Sequence, residues 1–152
     1  MHDPKAVART MIEKAATQNI AVTNLTLQKL LYFAHGLMLA KYDRPLVNQS
    51  FQAWKYGPVL EGLYHDLKMF GPSKISPNDG FVPWWPTLQG NVENEITSIN
   101  AVLQQLGPMS GGALINISHD INGPWYSAYQ ATTKNICIDN EKIKSYFKTL
   151  VK

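Results

Sequence analysis

The side chains of this 152-residue chain that could do chemistry are few, and their spacing argues against most of it. His35, His65 and His119 are candidate metal ligands, and a metal site needs such groups to converge. No two of the three stand at the helical spacing that puts ligands on one face, so a three-histidine site is not expected. His65 and Asp66 are adjacent, so on a helix they diverge. Cys137 with His119 could form a nucleophile and its base. Ile136 and Ile138 flank Cys137 in a run that reads as a strand, so the expectation is a buried, inert thiol. Glu93 and Glu95 stand two apart and do not face each other on a helix; their role is to favour its N-terminus. Gly-rich phosphate loops of both common patterns are absent from the sequence. The stretch Gly107-Pro108-Met109-Ser110-Gly111 lacks the glycine two before the serine that a nucleophile elbow requires. No catalytic set, metal site or cofactor is expected.

The aromatics say more. Trp84-Trp85 sit between Pro83 and Pro86. Exposed tryptophans anchor protein interfaces, whereas a loop folded back would use both rings to cover the core. The sequence leaves both readings standing. Trp54 and Trp125 are expected in the core. Tyr32 and His35, one turn apart, are expected to make a buried polar contact. Lys55, Tyr56 and Gly57 fall at a strand-to-helix turn, where a loop residue can bind or can simply shape the fold.

The elements that must hold these residues are mostly helices. Asp3-Pro4 reads as an N-cap and a proline in the first turn, opening a helix that ends near Thr17 or Asn19. A second helix runs from about Thr23 or Thr26 to Lys41. Its stripe is Leu27, Leu30, Leu31, Ala34, Leu37 and Met38, and its other faces carry few charges, so it is expected at the centre. Phe51–Trp54 reads as a short strand. Gly57-Pro58 is expected to stop that strand and open a third helix with Leu60, Leu63, Tyr64 and Leu67 inward, closed by Gly71-Pro72. Residues 71–91 carry four prolines after Gly71 and no periodicity, and a loop that long is usually functional or mobile. A fourth helix carries Val92, Ile96, Ile99, Leu103 and Leu106 and stops at Gly107-Pro108. Ser110 caps a fifth, Gly123-Pro124 opens a sixth, and Asp139 caps a last one with Ile143, Tyr146, Phe147 and Leu150 inward. Asn135–Ile138 reads as a second short strand. The fold class is mainly α (α+β): one compact domain over residues 1–152, about seven helices, with a minimal two- or three-stranded β element that must lie against helices.

Composition bounds the function. Apolar residues make up 45% and charged residues 16%, which excludes wholesale disorder. No apolar run approaches the ~20 residues needed to cross a bilayer, and the start, Met1-His2-Asp3-Pro4-Lys5, lacks a signal peptide's apolar stretch. One cysteine excludes an internal disulfide framework. A cytoplasmic protein is expected. Residues 1–133 are balanced in charge, and the net +3 comes from Lys134, Lys142, Lys144, Lys148 and Lys152 against Asp139 and Glu141. Lysines late in a helix oppose its dipole, so this tail needs no nucleic acid to explain it.

Two stretches carry a resemblance. Leu25-Thr26-Leu27-Gln28-Lys29-Leu30-Leu31-Tyr32-Phe33-Ala34-His35-Gly36 is distinctive, as is Phe51-Gln52-Ala53-Trp54-Lys55-Tyr56-Gly57-Pro58-Val59 followed by Leu63-Tyr64. With Ile117-Ser118-His119, Gly123-Pro124-Trp125 and the closing Ile143, Tyr146-Phe147, the chain resembles the Panacea domain, the SocA-like or GepA-type phage-associated antitoxin family. The resemblance implies a protein that binds a co-encoded protein toxin and neutralises it by direct contact, without catalysis. Asp120-Ile121-Asn122 departs from the acidic, glycine-rich turn usual there, and loop 71–91 matches no motif. The partner-binding residues expected are Trp84, Trp85, Lys55 and Tyr56. The alternative is a nucleic-acid-binding regulator of a prophage or mobile-element operon, resting on the basic last helix. Its oligomeric state is left open.

Overall fold

The computed structural model describes residues 1–151. Among the described residues, seven α-helices and one β-hairpin pack around a single core. Helix α1 (Pro4–Thr17) starts where the Asp3 carboxylate accepts from the Lys5 N–H, and ends before Asn19 in the left-handed region. Helix α2 (Asn24–Tyr42) opens on a reciprocal pair: Thr23 and Thr26 side chains each accept from the other's backbone N–H. It stops at Asp43, also left-handed. Nearly every residue from Leu27 to Leu39 is buried, and α1, α3, α4, α5, α7 and the hairpin all pack on it. This is the central helix its low charge implies.

Strands β1 (Gln52–Trp54) and β2 (Gly57–Val59) form an antiparallel hairpin with Trp54 opposite Gly57 and Lys55-Tyr56 as the turn. The reading of Gly57-Pro58 as a helix start is therefore corrected. Gly57 adopts φ 110° to close the turn, and Pro58 lies in the strand opposite Ala53. Helix α3 (Glu61–Leu67) begins later, and the 3-10 turn Lys68–Phe70 closes it. The segment read as a second strand contributes a single bridge, Gln52 to Cys137. It is flanked by Ala53 N–H to Ile136 C=O (2.8 Å) and Ile138 N–H to Phe51 C=O (2.7 Å). Alternation along this edge turns Ile138 inward and leaves Cys137 exposed, so the expectation of a buried thiol is also corrected.

Helix α4 (Glu93–Leu106) buries Glu95, Ser98, Ile99, Val102 and Leu103, while Val92, Ile96 and Leu106 are half-buried. The buried face is thus rotated from the apolar stripe. A buried carboxylate is tolerated because His2 Nε2 lies 2.7 Å from Glu95 and Arg44 lies 3.6 Å away. Burial raises the Glu95 pKa, but His2, Arg44 and a backbone bond outweigh it and hold the net value low. Helices α5 (Gly111–Ser118), α6 (Pro124–Ala128) and α7 (Asn140–Leu150) follow, with Ser110, Gly123 and Asp139 at their starts. Loop 71–91 is not loose throughout: Ile75, Val82 and Trp85 are buried, and Val82–Trp84 forms a 3-10 turn.

Tyr32 and His35 are both buried but do not bond each other. The Tyr32 ring packs edge-on against Phe33, Phe51 and Phe147, and its hydroxyl has no partner, so burial pushes its pKa up. His35 ties three segments together. Its Nε2–H donates to Asn140 Oδ1 (2.9 Å), and its Nδ1 accepts from the N–H groups of Leu46 (3.2 Å) and Val47 (3.4 Å).

Candidate functional site

The first turns of α2 direct three polar side chains beneath the hairpin. Asn24 and Gln28 are four apart on one face, and Gln28 Nε2 donates to Asn24 Oδ1 (3.3 Å). Asn24 Nδ2 donates to the Tyr64 carbonyl (3.3 Å), and Gln28 Oε1 accepts from the Leu60 N–H (2.9 Å). Together they bind the hairpin exit and α3 to α2. Lys29, the next residue, has no exposed surface at all, and its Nζ donates to the Pro58 carbonyl at 3.0 Å. No carboxylate pairs with it among the described residues. Burial of the ammonium pulls its pKa down to about 7, so near neutrality it is half charged.

Gly57 closes over this lysine. A Cβ there would stand 2.6 Å from Lys29 Cε and 2.7 Å from Ser118 Oγ, and φ 110° is a conformation few L side chains adopt. Ser118 donates its hydroxyl proton to the Ile115 carbonyl (2.8 Å) and packs close. His119 stacks face to face on Trp125, with centroids 3.5 Å apart and planes 5° from parallel. Trp125 Nε1–H donates to the Trp54 carbonyl (2.7 Å), fixing the end of β1. Buried His119 Nε2 has no protein partner; burial, then the charge of Lys29, holds the imidazole below its ordinary pKa.

Above this floor lies a cleft of about 290 Å³. Asn24, Gln28 and Lys29 line its base, Trp54, Tyr56 and Tyr64 its walls, and Leu25, Lys55 and Lys68 its rim. Trp54 and Tyr64 meet edge to face with centroids 5.0 Å apart. Tyr56 is 57% exposed, with Lys55 Nζ 5.5 Å from its ring. Of the four expected partner-binding residues, Lys55 and Tyr56 therefore lie at the cleft. The tryptophan pair is elsewhere and divided: Trp84 is 82% exposed, whereas Trp85 is 8% exposed and its carbonyl accepts from Arg9. The 3-10 turn puts the two rings on opposite sides, so Trp85 belongs to the core. Trp125 is in the core as expected, and Trp54 is half-buried.

Sequence reasoning missed Lys29. The available signal was a lone lysine in a mostly apolar run, Leu27 to Ala40, whose other polar residues include Gln28 and His35. It also missed that Ser118 and His119 meet the hairpin. Among the described residues, no group of three His, Cys, Asp or Glu is placed to hold a metal. Nor is any helix there long and apolar enough to cross a membrane.

The residues converging on this cleft are those that make the sequence distinctive. Residues 27–126 match the family described as "Antitoxin SocA-like, Panacea domain". The chain belongs to that family. It is 40% identical over 128 residues to the protein named Antitoxin SocA of Caulobacter vibrioides (strain NA1000 / CB15N), covering 81% of this chain and 68% of that one. No solved structure matches it. The Panacea match holds Lys29, the whole hairpin, Ser118, His119 and Trp125, and it excludes α1 and α7.

Proposed function

We propose that this Panacea-domain protein is a cytoplasmic antitoxin. It neutralises a protein toxin encoded beside it by direct contact, and it does so without catalysing a reaction. The observation that carries this reading is the exposed apolar strip beside the cleft. Leu25 and Tyr56 stand at the cleft itself, with Lys68 on the same rim. The chain runs on from Lys68 into exposed Met69 and half-buried Phe70, which pack close to Gly80. Exposed Phe81 follows, and its carbonyl accepts from the Trp84 N–H (2.9 Å). Large exposed aromatics in one strip are the anchors that protein interfaces use.

Trp85 leaves the contact set, while Trp84, Tyr56 and Lys55 remain in it. The regulator alternative rests on the basic last helix, where one of the lysines, Lys144, is ion-paired with Asp43. The test is a growth assay of the neighbouring reading frame, expressed alone and then with this protein. Toxicity relieved by co-expression supports the proposal, and co-purification from the same cells establishes contact. A Trp84→Ala variant is expected to keep its thermal midpoint and weaken that co-purification. Relief of toxicity with no complex in hand would reject direct contact.

A further inference from the structure

The cleft over Lys29 has a charge pattern that its own fold leaves uncompensated. Three lysines line it, Lys29 at the base and Lys55 and Lys68 at the rim, and no Asp or Glu does. None of the three is ion-paired among the described residues. The Lys29 ammonium has three N–H donors and one acceptor, the Pro58 carbonyl. A buried cation left this short of partners is costly. By contrast, the amides on the same turns are used up: Gln28 and Asn24 are committed to Leu60, Tyr64 and each other. The unspent capacity is therefore for an anion, beneath the closed base of a cleft walled by Trp54, Tyr56 and Tyr64.

We propose that this cleft is a carboxylate socket, in which an Asp or Glu side chain of the protein partner passes between the aromatic walls and pairs with Lys29. This rests on the direct-contact reading above and names what the contact recognises. The partner is committed by charge complementarity and by position, because the exposed apolar strip begins at the same rim. Because Lys29 has no exposed surface, the socket requires Lys55 and Tyr56, exposed side chains of the hairpin turn, to move aside for the group. Lys55 and Lys68 draw it in.

The socket predicts proton uptake. Lys29 is about half neutral at pH 7 in the free protein, and a buried carboxylate beside it holds it charged. The other titratable groups around it are His119 at the C-terminal cap of α5, Lys55 and Tyr56 from the turn, Tyr64 from α3 and Lys68 from the 3-10 turn. Burial, and then the charge of Lys29, holds His119 below its ordinary value and so favours its neutral form. The Lys29 pKa is raised in the complex, so binding is full below about 7. It then falls about tenfold per pH unit above 7, until the pKa in the complex is reached.

The experiment uses the whole chain and the toxin identified by the growth assay. Calorimetry in two buffers of different ionisation enthalpy counts protons, and carbon-13 labelling at lysine Cε follows Lys29 itself, the lysine that titrates near neutrality. The expected result is about half a proton taken up at pH 7, rising toward one in mild alkali, with the Lys29 midpoint moving up on complex formation. Lys29→Met, folded by circular dichroism, is expected to lose both the uptake and the pH slope. Tight binding with an unmoved Lys29 midpoint overturns the socket and leaves direct contact standing. If Lys29→Met does not fold, the wild-type midpoint decides alone. Absence of any toxin binding at any pH removes direct contact and the socket together.

Discussion

Acid should unfold this protein in part through one histidine. His35 sits in α2 with both ring nitrogens committed: Nε2–H donates to Asn140, and Nδ1 accepts from Leu46 and Val47 N–H. A second proton can go only onto Nδ1, where it would face two donors. Burial is the larger cause, and the bond to Asn140 opposes it only in part, so the pKa falls from 6.5 to about 4. The folded value is below the unfolded one, so the unfolded chain binds the proton more readily. Stability from this site is therefore full above about 6.5, declines as pH falls, and is wholly lost near 4. At about 1.4 kcal/mol for each pH unit separating the folded and unfolded pKa, the gap is worth roughly 3 kcal/mol, a large share of a small domain's stability. The assay is urea unfolding at neutral pH and near pH 4.5, for wild type and for His35→Gln. The glutamine variant is less stable at neutral pH, because it gives up part of the Leu46, Val47 and Asn140 bonding. Its loss on acidification should be smaller than the wild-type loss by about 2 to 3 kcal/mol. Every other ionisable group is common to both proteins, so its contribution cancels in the comparison. Equal acid losses in the two would refute the buried neutral imidazole.

Two further substitutions test the packing. Gly36→Ala would drive a Cβ into the Phe147 ring where α2 meets α7, and should cost about 1–3 kcal/mol by urea midpoint. An unchanged midpoint would mean that α7 can shift away freely. Trp85→Ala should cost about 3–5 kcal/mol, since the ring is 8% exposed in the core. A thermal midpoint as high as wild type would return Trp85 to the surface.

Helices were legible wherever a cap met a clean stripe. Asp3, Ser110 and Asp139 each place an oxygen on a first-turn N–H, and each start was readable. The hairpin was not, because its cue is ambiguous: proline's fixed φ suits the first turn of a helix and an edge strand equally. What decides it is distant in sequence. Lys29 bonds the Pro58 carbonyl, and Lys29 with Ser118 crowds Gly57, whose positive φ then closes a two-residue turn. Cys137 was misjudged because its residue type outweighed period-two alternation, which already places it opposite to Ile136 and Ile138. Trp84 and Trp85 could not be separated by type or neighbours, because a 3-10 turn sorted them. On α4, Ile99 and Leu103 of the apolar stripe are buried, but the buried face is rotated toward Glu95, which bonds His2, a residue 93 positions away.

The two buried titratable side chains of α2 show how structural and functional polarity differ. Both lie on the central helix, and burial moves both toward the neutral form. His35 has every ring nitrogen satisfied within the chain, so the fold alone explains it. Lys29 does not close in this way. Its stem fills space that leucine or methionine could fill, and its single hydrogen bond does not offset the burial of an ammonium. A hydrophobic replacement would give up the bond to the Pro58 carbonyl, but it would also remove a buried ammonium that no carboxylate of the described residues offsets. The hairpin uses one of the ammonium's three donors, and the fold's own packing gives no partner to the other two among the described residues. An anion arriving from outside would, and the cleft above Lys29, with lysines at its rim and no carboxylate in its lining, is where one would arrive.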